Sequence, residues 1–270
     1  MPRTPIVVAA FFRRALLDAA SQRAAGLVQL VGALGALSGV LFLSRLIDAT
    51  PNPLFASYGS YAGFLLVGLV AAELQRAVSV ALTTRIREAQ LQGTLEAMLA
   101  TPTPIWLILL GLALPELGAT LLRATMQIAF GILLFGISFA HADWGATAAT
   151  LAMTLFAFAT LGVLGAALTL RLRRADPLTP LLTGVSMVLS SVLYPLSVLP
   201  EWLRPIGEWM PVTPALEALR GATLAGQKLS AIGLPLGKLA LFFLLLAPTS
   251  AWLFAGALRR ARTDGSLATY

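Results

Sequence analysis

Six stretches of this chain are long and free of charged residues, and short polar segments separate them. They are Ala24–Ser44, Ala49–Ala72, Ala124–Ala142, Trp144–Leu170, Pro177–Pro200 and Leu239–Leu258. A helix needs about 20 apolar residues to cross a hydrocarbon core of about 30 Å. Because backbone N–H and C=O groups must be paired inside lipid, these crossings are expected to be α-helices. The pattern predicts an all-α, polytopic membrane protein with six transmembrane helices, over residues 25–46, 58–82, 116–139, 145–170, 177–195 and 236–258.

A seventh charge-free run, Ala97–Pro115, competes as a crossing. Pro102 and Pro104 break its first third, and Pro115 is expected to close it. With six crossings, 14 of the 19 Lys and Arg residues lie on the side of the N-terminus, whereas seven crossings give a split of 11 to 8. Since cytoplasmic loops concentrate Lys and Arg, we expect six crossings with both termini in the cytoplasm.

Composition agrees with a membrane protein and excludes several other classes. The chain is 58% hydrophobic and 11% charged, against about 25% charged in soluble domains. The net charge of +7 is accounted for by the Lys and Arg residues that membrane proteins concentrate in their cytoplasmic loops. No nucleic-acid partner is therefore predicted. One His and no Cys exclude disulfides and most transition-metal sites, and no metal site is predicted. The run Gly233–Lys238 lacks the spacing of a phosphate-binding loop, so the chain is not expected to hydrolyse ATP itself.

The N-terminal segment is predicted to be a helix lying in the membrane interface, over residues 4–23. Phe11, Phe12 and Leu16 recur there at helical spacing, with arginines between and after them. Two arginines interrupt its apolar run, so a cleaved signal peptide is not predicted.

The first crossing carries small residues at helical spacing, including Gly32, Gly35 and Gly39. Such a face lets two helices approach closely. The sequence leaves open whether the approaching helix belongs to the same subunit or to a second one.

The inner segment 88–102 is predicted to hold a short amphipathic helix on the cytoplasmic face. Leu91, Leu95 and Leu99 share one face, Thr94 is placed to cap the helix, and the Thr-Pro-Thr-Pro run that follows stops it. Two interpretations remain open. The helix is either a connector lying on the membrane or a docking element for a soluble partner, with an ionic contact from its acidic residue.

The outer segment 200–226 is too apolar for a water-exposed loop. Two short helices are expected, the second capped by Thr213 and closed by Gly226. One interpretation is a re-entrant pair that dips into the outer leaflet and closes a pathway. The other is a pair of interfacial helices anchored by Trp202 and Trp209.

Four charged residues are candidates for intramembrane sites. Glu73 and Arg76 stand three apart near the inner end of the second crossing, and they are expected to pair as helix neighbours. Glu116 and Arg123 stand seven apart on one face of the third. Such charges either lie along a transport path or at its intracellular gate, or they form internal ion pairs or reach out to the inner membrane interface.

Several of these segments together resemble the ABC type-2 transporter permeases. Gly93–Pro102 is similar to the coupling segment of that family, which follows the second crossing and sits in a groove of the ATPase subunit. The resemblance continues in Leu121–Gln127, is strong in Tyr194–Pro205, and includes Thr213–Arg220. It covers nearly the whole chain.

The resemblance implies the transmembrane subunit of an ATP-driven exporter in a bacterial-type cytoplasmic membrane. Two copies of a separate ATPase subunit would bind ATP and Mg²⁺, and a second permease subunit, identical or not, would complete the pathway. The chain itself would carry no cofactor and no catalytic residue. The implied coupling residues are Gly93, Thr94, Leu95, Glu96, Leu99, Thr101 and Pro102. The implied outer-gate residues are Tyr194, Pro195, Leu196, Pro200, Trp202 and Trp209.

The cargo and the alternatives rest on weaker signals. Apolar and aromatic pathway residues suggest a hydrophobic or amphipathic cargo, such as a drug, a lipid or a lipid-linked glycan. A membrane scaffold or assembly factor without a transport path is one alternative. An ion-driven secondary transporter is another, although it would favour inverted repeats and charged, broken helices at the midplane.

Overall fold

A computed structural model describes residues 23–48, 55, 58–101, 103–172, 176 and 178–263. Regular structure in this part of the chain is helical throughout, which confirms the all-α prediction. The α-helices are α1 (Arg23–Asp48), α2 (Tyr61–Leu91), α3 (Thr94–Leu99), α4 (Ile105–Phe135), α5 (Trp144–Leu172), α6 (Leu178–Leu189), α7 (Arg204–Trp209), α8 (Val212–Thr223) and α9 (Gly233–Thr263). A 3-10 turn covers Leu196–Val198. The predicted interfacial helix lies outside the described residues, except for Arg23, which begins α1.

Five of these helices, α1, α2, α4, α5 and α9, are long and apolar enough to cross a bilayer. The chain is therefore a multi-pass membrane protein. Helices α2, α4 and α9 each have 31 residues, which gives a length of about 46 Å at 1.5 Å per residue. They exceed the predicted crossings and extend beyond a hydrocarbon core of about 30 Å.

Helix α4 corrects the predicted start of the third crossing. It begins at Ile105 and runs through Pro115 without a break, so this proline does not close the segment. Proline costs one helical hydrogen bond and crowds the carbonyl four residues earlier; here that residue is Gly111, whose backbone bends readily. The first turns of α4 also bury Leu107 and Ile108, and this packing offsets the local cost of the proline.

The predicted fifth crossing, residues 177–195, is helical for only part of its length. Helix α6 has 12 residues, or about 18 Å, and it gives way to irregular backbone at Ser190. Thr179, near the start of α6, lies close to Gly165 in the C-terminal half of α5. The carbonyl of Leu193 accepts a hydrogen bond of 2.9 Å from the Tyr61 hydroxyl, at the first residue of α2. The segment thus passes from one end of the bundle towards the other as a helix followed by non-helical chain.

Helix α2 occupies the centre of the bundle and packs against α1, α4, α5, α6 and α8. Its contact with α5 is close because Gly162 lacks a side chain. A Cβ there would lie 2.8 Å from the carbonyl oxygen of Val78. One apolar cluster joins the ends of α2, α5 and α9 to α3, and another joins α1, α2 and α4. A third surrounds α8.

Helix α1 lies at the periphery and has most of its surface exposed. Leu27, Val28 and Val31 are each more than 60% exposed. The small-residue face predicted for close packing meets no atom of the part of the chain that the structure describes. A Cβ built at Gly32, Gly35 or Gly39 has no neighbour within 4 Å.

Candidate functional site

Helix α3 follows α2 after a sharp turn. Gly93 adopts φ = +67°, a left-handed conformation in which glycine avoids the penalty of a side chain. A Cβ at this position would meet open space, so the backbone angle alone favours glycine. Thr94 was predicted to cap the helix, but its hydroxyl instead donates to the carbonyl of Ala89, 3.4 Å away. The end of the predicted coupling segment, Pro102, lies outside the described residues.

The two faces of α3 have different environments. Leu95 is 4% exposed and belongs to the apolar cluster formed by the ends of α2, α5 and α9, against which Leu99 is also packed. Glu96 and Ala97 are exposed on the opposite side. Consecutive helical residues do not share a face, so Leu95 and Glu96 do not form one contact surface. Within this chain, the Leu95 side chain anchors α3 to the bundle.

A second group of residues lies inside the bundle, where α2 meets α4. Arg123 donates from Nε to Glu73, 2.9 Å away, and from Nη2 to Glu116, 3.1 Å away. The Gln127 amide donates to the other oxygen of Glu73 at 2.8 Å. The predicted pairing of Glu73 with Arg76 is therefore wrong, because Glu73 reaches across to α4. Arg123 thus pairs with Glu73 across the two helices and with Glu116 within α4, in a region where unpaired charge is costly.

This charge cluster forms one wall of a cavity of about 560 Å³ between α1, α2 and α4. Leu37 and Val40 of α1 and Met187 of α6 supply apolar lining. Arg76 also lines the cavity, and it forms no ion pair within the described part of the chain. The Oε1 atom of Gln127 is buried without a hydrogen-bond partner there. The cavity therefore offers an apolar wall, a free cation and a free acceptor.

The outer segment divides into a buried and an exposed part. Helix α8 packs against α2, α5 and α9, and eleven of its twelve residues are buried. Trp202 and Trp209, by contrast, are 73% and 77% exposed. Thr213 does not cap α8 as predicted. Its hydroxyl donates to the carbonyl of Gly207 on the preceding helix α7.

The remaining predicted outer-gate residues surround the break after α6. The Tyr194 hydroxyl donates back to the carbonyl of Val188, and Pro195 precedes the 3-10 turn that Leu196 begins. Leu196 packs near Gly207, which links this turn to α7. Pro200 is exposed. Tyr194, Pro195 and Leu196 thus lie together at the break. Trp202 and Trp209 are largely exposed, and Trp209 lines a cavity with Pro214 of α8 and Leu241 of α9.

Arg220 of α8 is the central polar residue of this region, although in the sequence it stood out only as the last residue of the stretch Thr213–Arg220. It is 1% exposed and donates to the carbonyls of Ser191 at 2.6 Å, Val192 at 3.0 Å and Phe64 at 2.9 Å. Its guanidinium also lies 3.3 Å from the centre of the Phe64 ring.

Gly68 of α2 makes this arrangement possible. A Cβ at that position would lie 2.2 Å from the Val192 carbonyl oxygen and 2.6 Å from Nη2 of Arg220. The signal in the sequence was a lone arginine in the predicted second outer helix, among mostly apolar residues. The carbonyls freed by the break at Ser190–Pro195 are its partners, and a break inside an apolar run is difficult to locate from sequence.

Comparison with known protein families assigns the chain. Residues 6–224 match the model of the ABC-2 type transporter family. The chain belongs to this family. The match covers α1 to α8, including the coupling segment, the charge cluster and Arg220, while α9 follows the matched residues. Comparison with curated proteins finds no match.

Membership of the ABC-2 type transporter family makes this chain a transporter membrane subunit. The membrane domain of this family is a permease component rather than the ATPase. Proteins of the family generally work with an ABC ATPase subunit.

Proposed function

We propose that this chain is the transmembrane subunit of an ATP-driven exporter, and that α3 receives the movement of two copies of a separate ATPase subunit. ATP and Mg²⁺ would be held by those ATPase subunits. The observation that carries the proposal is the position of α3. It is anchored by Leu95 at the joint end of α2, α5 and α9. Glu96 is exposed and forms no ion pair with the described residues.

The anchoring explains how a push on α3 reaches the crossings. Leu95 packs in one cluster with Ile86 of α2 and with Phe254 and Leu258 of α9. Nucleotide state can bias the permease only through contacts that differ between its two conformations. A displacement of α3 would change the packing of Leu95 against both helices at once.

The proposed topology has six crossings with both termini in the cytoplasm of a bacterial-type cell. Helix α6 and the irregular residues 190–195 together make the fifth crossing. Its non-helical part is acceptable at membrane depth because protein surrounds it, and Arg220 supplies donors to two of its carbonyls. The buried position of α8 supports a re-entrant outer pair in which Tyr194, Pro195 and Leu196 form the outer gate.

A second permease subunit is proposed to pack on α1. The face with Gly32, Gly35 and Gly39 has no neighbour among the described residues of this chain, and such faces permit close helix–helix contact. The proposed partner is a permease subunit, either a second copy of this chain or a different one.

The cargo is proposed to be hydrophobic or amphipathic. The cavity beside α1 combines apolar side chains with Arg76 and with the free acceptor of Gln127. An amphiphile with a polar or anionic headgroup matches this lining, whether it is a drug, a lipid or a lipid-linked glycan. The cavity opens beside α1, where the second subunit would enclose it.

The test uses cross-linking from α3, and the chain is suited to it because it has no cysteine. The tagged chain with Ala97→Cys is purified from the cells that encode it, treated with a thiol–amine cross-linker, and assayed for ATP hydrolysis. We expect cross-linking to a protein with a phosphate-binding loop. Glu96→Arg in the same background should abolish ATP hydrolysis by the complex while the chain stays folded.

The control is Ser138→Cys, an exposed position in the connection between α4 and α5. This cysteine should give no cross-link to the same protein. ATP hydrolysis by the complex that is unchanged in Glu96→Arg, or equal cross-linking from both positions, would refute the docking of an ATPase on α3.

A further inference from the structure

A cavity of about 440 Å³ lies where α5 and α9 end side by side. The two helices pack along their lengths. Arg171 stands in the last turn of α5, and Arg259 and Arg260 stand near the end of α9. These three arginines line the cavity together with Trp252 and Gly256. The cavity is separate from the one beside α1 and from the exposed face of α3.

The positive charge of this cavity is not matched by carboxylates. In the part of the chain that the structure describes, none of the three guanidinium groups takes part in an ion pair, and no acid lines the cavity. Asp176 follows α5 closely, but its oxygens accept from the backbone N–H groups of Leu178 at 2.9 Å and Thr179 at 3.2 Å. Three cations are thus left to bind an anion.

The cavity continues onto an apolar surface of α9. Trp252 is 73% exposed, and Leu244 and Leu245, farther along the helix, are 69% and 60% exposed. Trp252 precedes Arg259 by seven residues, or about 10 Å along the axis. Tryptophan is enriched at the boundary between headgroups and hydrocarbon. Along this surface the arginines come first, then the indole of Trp252, then the leucines. The phosphate, the glycerol region and the acyl chain of a phospholipid follow one another in the same order.

We propose that this cavity binds an anionic phospholipid, with its phosphate on Arg171, Arg259 and Arg260 and an acyl chain along Trp252 and the exposed leucines. Guanidinium groups bind phosphate oxygens in pairs, and basic pockets between helices on the cytoplasmic side suit anionic headgroups. The inference rests on the proposed orientation, which places the ends of α5 and α9 in the cytoplasmic leaflet.

The exposed leucines favour a lipid over an acidic protein surface as the occupant. Only 17% of the most apolar stretch of α9 is buried against the rest of this chain. Helix α9 therefore presents a long apolar face to its surroundings. An acidic protein would satisfy the arginines and leave Trp252 and the leucines uncovered. A phospholipid satisfies both parts.

The proposal is tested by titrating the purified chain in detergent with phosphatidylglycerol and measuring the first bound lipid by native mass spectrometry. Each cation at an anionic surface strengthens binding about fivefold, so Arg259→Gln with Arg260→Gln should weaken it roughly 30-fold. Gly256→Leu should weaken binding with all three arginines retained, because a Cβ at Gly256 points into open space and a larger side chain would fill the cavity.

The matched control is Lys228→Gln with Lys238→Gln, which removes two cations at the opposite end of α9. It should leave phosphatidylglycerol binding unchanged. The proposal is overturned if phosphatidylcholine binds as tightly, if inorganic phosphate competes fully at equal concentration, or if either cavity variant binds like the unmodified chain. Because the chain is tested without an ATPase, failure here does not bear on the proposed function.

Discussion

At the scale of single residues, Arg220 shows how a membrane protein tolerates a broken helix. Non-helical backbone at membrane depth needs hydrogen-bond donors from protein, and a planar guanidinium supplies several in fixed directions. Arg220 spans the carbonyls of Phe64 on α2 and of Ser191 and Val192 at the break. Since each unpaired buried carbonyl costs about 1–3 kcal/mol, Arg220→Lys should destabilise the chain by several kcal/mol. Thermal unfolding in detergent measures this loss.

Arg204 is the matched control for Arg220. It also donates to two carbonyls, those of Leu199 and Ser197, each at 2.9 Å, but its side chain is only partly buried and water can replace it. Arg204→Lys should therefore lower the unfolding temperature much less than Arg220→Lys. Equal losses for the two substitutions would argue that Arg220 does not hold the break.

At the scale of elements, the turn between α2 and α3 can be tested by substitution at Gly93, because only the backbone conformation at this position favours glycine. Its φ of +67° costs about 1–2 kcal/mol for most residues, whereas asparagine visits this region more readily. A side chain there would meet open space. Gly93→Val should reorient α3 and lower ATP hydrolysis by the complex, and Gly93→Asn should largely preserve it.

The outcome is read from ATP hydrolysis by the purified complex, with thermal unfolding of the permease as the companion measurement. Equal activity of the valine and asparagine variants would mean that the left-handed turn does not position α3. A loss of folding in Gly93→Val without any loss in Gly93→Asn would still agree with the backbone argument.

The elements also show what the sequence can and cannot predict. Long apolar runs correctly located α1, α2, α5 and α9 among the helices able to cross a bilayer. Helix α4 was also predicted, but with its start at residue 116 instead of Ile105. Hydropathy and proline rules count residues locally, so they started the third crossing after Pro115 and predicted one continuous helix over residues 177–195. The structure reverses both because tertiary contacts decide: Leu107 and Ile108 are buried in the first turns of α4, and Arg220 replaces the lost helical partners after Ser190.

The candidate sites follow the same division. Leu95, Glu96 and the turn at Gly93 are neighbours in sequence, so helical spacing alone identified the segment. Glu73 and Arg123 are separated by 50 residues in the chain and pair across two helices. Their pairing depends on the packing of α2 against α4, which local spacing does not contain; the same spacing suggested Arg76 instead.

At the scale of the whole molecule, the ends of the bundle should face opposite sides of the membrane. One end carries α3 and the arginines near the ends of α5 and α9, and the other carries the α4–α5 connection, which is hydrogen bonded to the end of α8 through Asp143 and Ala222 at 3.0 Å. The positive-inside rule assigns the arginine-rich end to the cytoplasm. The chain has no cysteine, so single cysteines report each end without background.

We predict that His141→Cys, in the exposed α4–α5 connection, reacts in intact cells with a thiol reagent that does not cross membranes. Thr101→Cys, exposed just after α3, should react only after the membrane is permeabilised. Leu216→Cys, which is fully buried in α8, should stay unreactive in both conditions because the bundle encloses it. Labelling of Thr101→Cys in intact cells would place α3 outside and remove the physical basis for a cytoplasmic ATPase acting on it.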